Sequence, residues 1–260
     1  MAGTPDLSII IPAFNEGSRI GSTIREMVSY CRSTRRAYEL LVVDDGSRDN
    51  TSSVARGFAQ DVPEIRVVRL ATNHGKGYAV RTGVLSAIGG TVLFADADGA
   101  TPIAELERLE LALDAGADIA IGSRAHRVEG VRVEAKVHRH LIGRTFHRLV
   151  EWLADSGVSD TQCGFKLFRS RVARDLFPRM RMNGYSFDVE LLLMARYLGY
   201  QIAEVPVNWT DQPGSKVRLT VDSLQMAFDL FRIRAYLFGR EHQAPRIAPV
   251  QNPQDTSHLA

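Results

Sequence analysis

Residues 91–99 read TVLFADADG, an apolar run that leads directly into two carboxylates. The run from Thr91 to Ala95 has the length and composition of a buried strand. Asp96 and Asp98 follow where that strand ends. Mg²⁺ and Mn²⁺ prefer oxygen ligands and often take only one or two from protein, with phosphate and water supplying the rest. Because Asp after a strand is also a common turn former or helix N-cap, the triplet alone does not establish a metal site.

Strands and helices alternate on both sides of this stretch. Apolar runs predict strands at residues 7–11, 38–43, 65–70, 118–121 and 201–207, and helical spacing predicts helices at 16–32, 51–60, 77–88, 103–115, 136–153, 186–198 and 219–238. This alternation predicts an α/β fold with a mostly parallel sheet covered on both faces. Ligands of such sheets bind beyond the carboxyl ends of the strands, which brings Pro12, Asp45 and Asp98 to one cleft.

Composition indicates an ordinary globular protein with a real core. The chain has 260 residues, of which 45% are hydrophobic and 24% charged, and its net charge is +2. The small charge predicts no general affinity for polyanions, so we expect no nucleic-acid partner. Cys31 and Cys163 form neither a CxxC pair nor a zinc pattern; a disulfide stays open, but a reducing compartment is the simpler interpretation. With no signal peptide at residues 1–6 and no apolar stretch of about 18 residues, we expect no transmembrane helix.

An ordered set of short motifs runs through the chain. They are IPAFNE (11–16), VDDGS (43–47), NHGKG (73–77), DADG (96–99), GSR (122–124), DTQCGFK (160–166), FDVE (187–190) and VNW (207–209). Taken together, the set resembles the family 2 nucleotide-sugar glycosyltransferases with a GT-A fold. The later motifs look most like the dolichyl-phosphate β-glucosyltransferase branch, with the dolichyl-phosphate mannose synthases as near neighbours.

The resemblance implies one GT-A domain over residues 1–240. Its first half, about 7–122, is expected to bind the nucleotide sugar, and its second half, 123–240, to face the acceptor and the membrane. Residues 241–260 contain prolines and little apolar pattern, so we expect a disordered tail there.

On the donor side, the resemblance implies nucleotide-sugar contacts for Pro12, Ala13, Phe14, Glu16, Asp45, Lys76, Asp96 and Ala97. Asp45 can accept hydrogen bonds from the base or ribose, or simply form a turn. Lys76 lies between two glycines near a helix start, which suits a phosphate but also a solvated lysine.

Asp98 is expected to bind Mg²⁺ or Mn²⁺, with Asp96 as a second ligand or a ribose contact. The cation would neutralise the leaving nucleoside diphosphate. Ala100 stands where the mannose synthases have a glutamine ligand, and this departure favours the glucosyl branch.

On the acceptor side, Arg124 and Arg139 match arginines that engage the lipid phosphate in the mannose synthases. Guanidinium groups suit bidentate phosphate binding. Gln162, Lys166 and Lys216 are further candidates for the acceptor phosphate, with Lys166 alternatively a rim charge. Asp188, at a predicted helix start, is a candidate general base or only a partner of the helix dipole.

The resemblance implies an inverting transfer of a hexose, expected to be glucose from UDP-glucose, to a polyprenyl or dolichyl phosphate. Such an acceptor is ionised at neutral pH and needs no strong base, whereas a sugar hydroxyl would need one, for which Asp188 is the candidate. The alternatives are a GDP-mannose donor, a saccharide or protein acceptor, and a non-catalytic module that binds nucleotide sugars and docks on membranes.

The location of the protein is inferred from its lipid substrate. Residues 136–152 and 219–240 mix cations with large apolar side chains, as interfacial helices do, although the same faces can be core or dimer contacts. We therefore expect a cytoplasmic protein, peripheral at the cytoplasmic face of a membrane.

Overall fold

The computed structural model describes residues 4–125, 130–134, 157–212 and 221–238. The strands are β1 (Leu7–Ala13), β2 (Tyr38–Asp44), β3 (Ile65–Arg69), β4 (Thr91–Ala95), β5 (Ile119–Ser123), β6 (Val133–Glu134), β7 (Phe165–Arg169), β8 (Ile202–Pro206) and β9 (Trp209–Thr210). The α-helices are α1 (Ile20–Ser33), α2 (Thr51–Asp61), α3 (Lys76–Leu85), α4 (Leu106–Asp114), α5 (Ser170–Leu176), α6 (Phe187–Tyr197) and α7 (Val221–Phe238). Single 3₁₀ turns occur at Ile103–Glu105 and Phe177–Arg179.

Seven strands form one central sheet in the order β3-β2-β1-β4-β7-β5-β8. Every neighbouring pair is parallel except those of β7, which runs antiparallel to both β4 and β5. The predicted α/β class and mostly parallel sheet are confirmed. A separate two-stranded sheet pairs β6 with β9. Because β1, β2 and β4 run in the same direction, their carboxyl ends lie at one edge of the sheet, as the strand pattern predicts.

Each face of the sheet carries its own apolar cluster. Along a strand successive side chains point to opposite faces, so Ile10 and Phe94 join one cluster while Ile9 and Leu93 join the other. Helices α3, α5, α6 and α7 pack on the first face, and α1, α2 and α4 on the second. Both cysteines are free and buried.

Strand β7 and helix α5 are not anticipated by the sequence pattern, which predicts no strand or helix between residues 153 and 186. β7 reads FKLFR, and a lysine amid apolar residues argues against a central strand. The strand forms nonetheless because Lys166, which is 0% exposed, meets a carboxylate from α6. The prediction of a rim charge at Lys166 is therefore wrong.

Smaller differences concern helix starts. Helix α1 begins at Ile20 rather than at residue 16, after a turn in which Asn15 has a φ of 53°. Residues 17–19 form a turn in place of the first part of the helix that apolar spacing predicts.

Several predictions fall on parts of the chain that the structure leaves undescribed. These are the basic helix at 136–153 with Arg139, the loop residue Lys216, and the tail at 241–260. Among the helices that the structure does describe, none has the length and apolar character needed to cross a bilayer.

Candidate active site

The loops after β1 and β2 are joined by hydrogen bonds. The backbone N–H of Asn15 donates to Ser47 Oγ at 2.8 Å, and Asn15 Oδ1 accepts from the N–H of Arg48 at 2.8 Å. The N–H of Glu16 donates to Thr51 Oγ1 at 2.7 Å. These contacts fix the segment after β1 beside the end of β2.

Within that segment the candidate nucleotide contacts differ in burial. Pro12 and Ala13 are buried in β1, whereas Phe14 and Glu16 are half-buried. Glu16 forms an ion pair with Arg19 at 2.5 Å. The predicted contacts of these four residues with a nucleotide stay predictions.

Asp45 holds the loop that precedes α3. Its carboxylate accepts hydrogen bonds from Asn73 Nδ2, the N–H of His74 and the N–H of Gly75, each at 2.8 Å. Burial raises the pKa of Asp45, and the two backbone donors oppose that rise. The carboxylate thereby positions Lys76, the first residue of α3. A direct contact of Asp45 with base or ribose stays a prediction.

Lys76 contacts the first acid of the DADG motif. Its Nζ lies 2.7 Å from Asp96 Oδ1 and 5.2 Å from the centre of the Phe94 ring. Burial disfavours the charged ammonium, but the attraction of Asp96 and Asp188 outweighs it and raises the pKa of Lys76. Lys76 is thus a permanent cation beside a candidate metal ligand.

Asp96 is packed tightly against β7. Its N–H donates to the carbonyl of Gly164 at 2.9 Å. A Cβ on Gly164 would lie 2.0 Å from Asp96 Oδ2, so only glycine leaves room for this carboxylate. Gly164 thus permits the close approach of the Asp96 carboxylate.

Asp98 is half-buried and accepts one hydrogen bond, from the N–H of Ala100 to Oδ1 at 3.1 Å. Burial first, and then the nearby Asp96, raise its pKa. Ala97, between the two acids, is buried, and its carbonyl accepts from Thr23 Oγ1 at 2.8 Å.

These acids fit a divalent cation that takes most of its ligands from elsewhere. The residues that the structure describes hold no group of three or more His, Cys, Asp or Glu side chains suited to a metal ion. Two carboxylates match the habit of Mg²⁺ and Mn²⁺ at phosphate substrates, where oxygen atoms of phosphate and water complete the shell.

Arg124, which follows β5, is fixed by Asp160. Its Nε and Nη2 donate to the two carboxylate oxygens at 2.7 and 2.8 Å, and its backbone N–H adds a third bond at 2.9 Å. Burial opposes both charges, but their mutual attraction raises the pKa of Arg124 and lowers that of Asp160. The guanidinium also lies 5.3 Å from the Trp209 ring. Arg124 is therefore held in one orientation.

A cleft lies beside Asp96. It is lined by Asp96, Ala100, Thr101, Gly164, Phe165 and Trp209. Trp209 is held by its N–H bond to the Arg132 carbonyl at 3.0 Å, and the N–H of Thr210 donates to the Ala100 carbonyl at 2.9 Å. The sequence reasoning assigned no role to Asp160, Thr101 or Trp209, although two of them lie in motifs that it singled out.

Lys166 and Asp188 form a buried ion pair rather than part of the surface. Their charged atoms are 2.5 Å apart, and Lys166 Nζ also donates to the Cys163 carbonyl at 2.6 Å. Burial raises the pKa of Asp188, against the attraction of Lys166 and Lys76. Asp188 lies in the first turn of α6, as predicted, and is 3% exposed. Gln162 is half-buried in the turn before β7.

The comparison with known families decides the class of the protein. The profile of "Glycosyl transferase family 2" matches residues 8–177. The chain belongs to this family. It is a glycosyltransferase, and the expected GT-A fold is confirmed.

Three curated relatives of this glycosyltransferase share one name. The Drosophila melanogaster dolichyl-phosphate beta-glucosyltransferase is 42% identical, over 96% of this chain and 79% of its own. The Homo sapiens protein of the same name is 40% identical, over 91% of this chain and 77% of its own. The Saccharomyces cerevisiae protein is 38% identical, over 90% and 75% respectively.

Solved structures share the fold at low identity. Mycobacterium tuberculosis glucosyl-3-phosphoglycerate synthase bound to UDP has a TM-score of 0.66 and 21% identity, covering 90% of this chain and 80% of that one. Its complex with Mn²⁺ and UDP-glucose has a TM-score of 0.64 and 20% identity, covering 90% and 79%. Mannosyl-3-phosphoglycerate synthase from Rubrobacter xylanophilus has a TM-score of 0.66 and 18% identity, covering 96% and 79%.

Proposed function

We propose that this glycosyltransferase moves glucose from UDP-glucose to a polyprenyl phosphate such as dolichyl phosphate, with inversion at the anomeric carbon. The observation that carries the proposal is the identity of 38–42% to dolichyl-phosphate beta-glucosyltransferases over at least 90% of the chain. The site agrees with it, because Asp96 and Trp209 line one cleft, and the fixed guanidinium of Arg124 lies over the Trp209 ring. Asp98, the second carboxylate for a cation, follows Asp96 by two residues.

Residues 7–122 supply the donor contacts of the proposed reaction. Asp98 and Asp96 would hold Mg²⁺ or Mn²⁺, which supplies charge neutralisation to the departing diphosphate. Lys76, at the start of α3, lies where its ammonium and the helix N-terminus both favour a diphosphate oxygen.

Residues 123–240 supply the acceptor contacts. Arg124, fixed by Asp160, orients the acceptor phosphate, with Arg139, Gln162 and Lys216 as further candidates. One phosphate oxygen forms the new bond to the anomeric carbon while the bond from that carbon to the UDP oxygen breaks. Since the attacking phosphate is already ionised, positioning and charge stabilisation supply the catalysis.

The buried Asp188 supports a phosphate acceptor over a sugar hydroxyl. A general base must reach the proton that it abstracts, but Asp188 is 3% exposed and paired with Lys166. Its engagement favours a reaction that needs no base. The ammonium of Lys166 pairs with Asp188 inside the protein, so Lys166 is not among the proposed contacts of the acceptor phosphate.

The test is transfer of one hexose to a short polyprenyl phosphate, read as a mass shift of the lipid. UDP-glucose and GDP-mannose are compared with Mg²⁺ or Mn²⁺. We expect a shift with UDP-glucose, its loss in Asp98→Asn, and its retention in the control Asp114→Asn, which alters an exposed acid in α4. A shift with GDP-mannose alone would replace the donor in this proposal. Donor binding without product for any acceptor would favour the non-catalytic module.

We further propose that α7 rests on the membrane that carries the lipid. Phe228 and Phe231, one turn apart, are each 62% exposed, and Arg232 lies next to them. Aromatic and cationic side chains together suit an interface with anionic lipid. The cytoplasmic face is the proposed side.

Sedimentation with vesicles containing anionic lipid tests this surface. The double variant Phe228→Ser/Phe231→Ser should lose most of the bound fraction. The control Leu111→Ser, which removes an equally exposed apolar side chain from α4 on the other face of the sheet, should keep it. Equal binding of both variants would rule out α7 as the membrane contact.

A further inference from the structure

Asp96, one of the two candidate cation ligands, is already paired with a positively charged side chain of the protein. Lys76 Nζ lies 2.7 Å from Asp96 Oδ1, at the distance of a charge-assisted hydrogen bond. A divalent cation that uses this oxygen must therefore displace the ammonium. The inference drawn from this contact rests on the proposed function, since it concerns the same cation and diphosphate.

The charges around this contact are close to balance. Asp96 interacts with Asp98, Asp188 and Lys76, and Asp188 also pairs with Lys166. Arg19 adds a further positive charge near Asp98. A divalent cation alone would add two positive charges to this cluster. A cation that arrives with the two negative charges of a nucleotide-sugar diphosphate leaves the balance unchanged.

The side chain of Lys76 is suited to a change of partner. It is a compact charge on a flexible stem of four carbons, and it remains 21% exposed. It lies in the first turn of α3, where the positive end of the helix dipole attracts an anion. A diphosphate bound at this helix start therefore offers Lys76 a second anionic partner.

We propose that Lys76 takes the place of the divalent cation at Asp96 when no donor is bound. In the donor-free enzyme its ammonium pairs with Asp96, and when the nucleotide binds it pairs with the diphosphate instead. Asp96 is thereby released to the divalent cation only when the nucleotide is present. Linkage makes the effect reciprocal, so the cation also tightens nucleotide binding. The enzyme then binds cation and nucleotide together and does not hold a bare cation.

The binding of Mn²⁺, followed by loss of the electron paramagnetic resonance signal of the free ion, tests the proposal without turnover. Titrations are run on the whole chain with and without UDP. Lys76→Met removes the charge at similar length, and Lys76→Arg keeps it as the matched control. Asp98→Asn verifies that the bound ion occupies this site, and circular dichroism verifies that each variant is folded.

We expect Mn²⁺ to bind the free protein about tenfold more tightly in Lys76→Met than in wild type, within the usual range of coupling between sites. At saturating UDP the two proteins should differ by less than about threefold in Mn²⁺ affinity, because the ammonium has then left Asp96. Lys76→Arg should behave as wild type. Unchanged or weaker Mn²⁺ binding to free Lys76→Met would overturn this inference alone. Absence of Mn²⁺ binding to wild type even with UDP would overturn both the inference and the proposed cation site.

Discussion

Replacing Lys166 by Met isolates the energetic role of the buried ion pair. In the wild-type structure the side chains of Lys166 and Asp188 are both almost completely buried. Methionine has a length similar to that of lysine, but it leaves Asp188 as an unpaired charge inside the protein. Breaking such a pair from one side costs about 3–5 kcal/mol of folding free energy. The Cys163 carbonyl also loses its donor, which adds about 1 kcal/mol.

The double variant Lys166→Met/Asp188→Leu distinguishes the cost of an unpaired buried charge from the cost of losing the ion pair as a whole. It removes both charges and fills the space with apolar groups, an exchange that is often neutral for buried pairs. Its remaining loss should be about 1 kcal/mol, from the Cys163 carbonyl. We therefore expect the second substitution to restore most of what the first removes.

The cost of Lys166→Met should also depend on pH. Burial already raises the pKa of Asp188, and without Lys166 it rises further. An acid with a raised pKa in the folded state binds more protons there than when unfolded. Stability is then lost as pH rises from the unfolded pKa of about 3.9 through the folded one. The deficit relative to wild type should shrink as the pH is lowered from 7.5 towards 4.5.

Equilibrium unfolding in urea, at both pH values, measures these differences. The midpoint and slope give the free energy of unfolding for each variant. A loss below about 1 kcal/mol in Lys166→Met, or a double variant no more stable than the single one, would refute the reasoning, since either result means that Asp188 is not held as a buried charge.

Two further predictions concern the cleft. In Gly164→Ala the new Cβ would meet the Asp96 carboxylate at 2.0 Å and displace it, so UDP affinity measured by calorimetry should fall about tenfold. The control Gly57→Ala, whose Cβ would lie in open space on α2, should bind UDP as the wild type does. Asp160→Asn removes the charge that fixes Arg124, so KM for the polyprenyl phosphate should rise about tenfold while KM for UDP-glucose stays within twofold. Equal rises in both KM values would place Arg124 on the donor side instead.

The edge of the sheet that carries the site was predictable from the chain alone. Alternating strands and helices imply parallel strands, and parallel strands bring their carboxyl ends together. Asp45 and Asp98 could thus be placed near one another without knowledge of any contact. Their local partners could not, because the donors to Asp45 come from a loop 28–30 residues further along the chain.

The main errors of the sequence-based prediction concern a buried charge whose partner is distant along the chain. Lys166 looks like a surface residue to any pattern based on polarity. Its burial is tolerated because Asp188, 22 residues away, pairs with it and the Cys163 carbonyl accepts a hydrogen bond from it. The same contact hides β7 from the sequence pattern. The motif resemblance marked both residues as important but gave no indication that they would meet each other inside the protein.

The position of β7 limits how this enzyme can be recombined with its relatives. The strand comes late in the chain, yet it lies between β4 and β5, and Gly164 just before it forms one wall around Asp96. A chimera joined after residue 123 would pair a foreign β7 with the resident β4, and a fragment cut there would expose β4 and β5 as unpaired edges. A junction downstream of residue 169 leaves the central strand in its own sheet, but it also leaves the proposed acceptor contacts Arg124, Arg139 and Gln162 with the resident half.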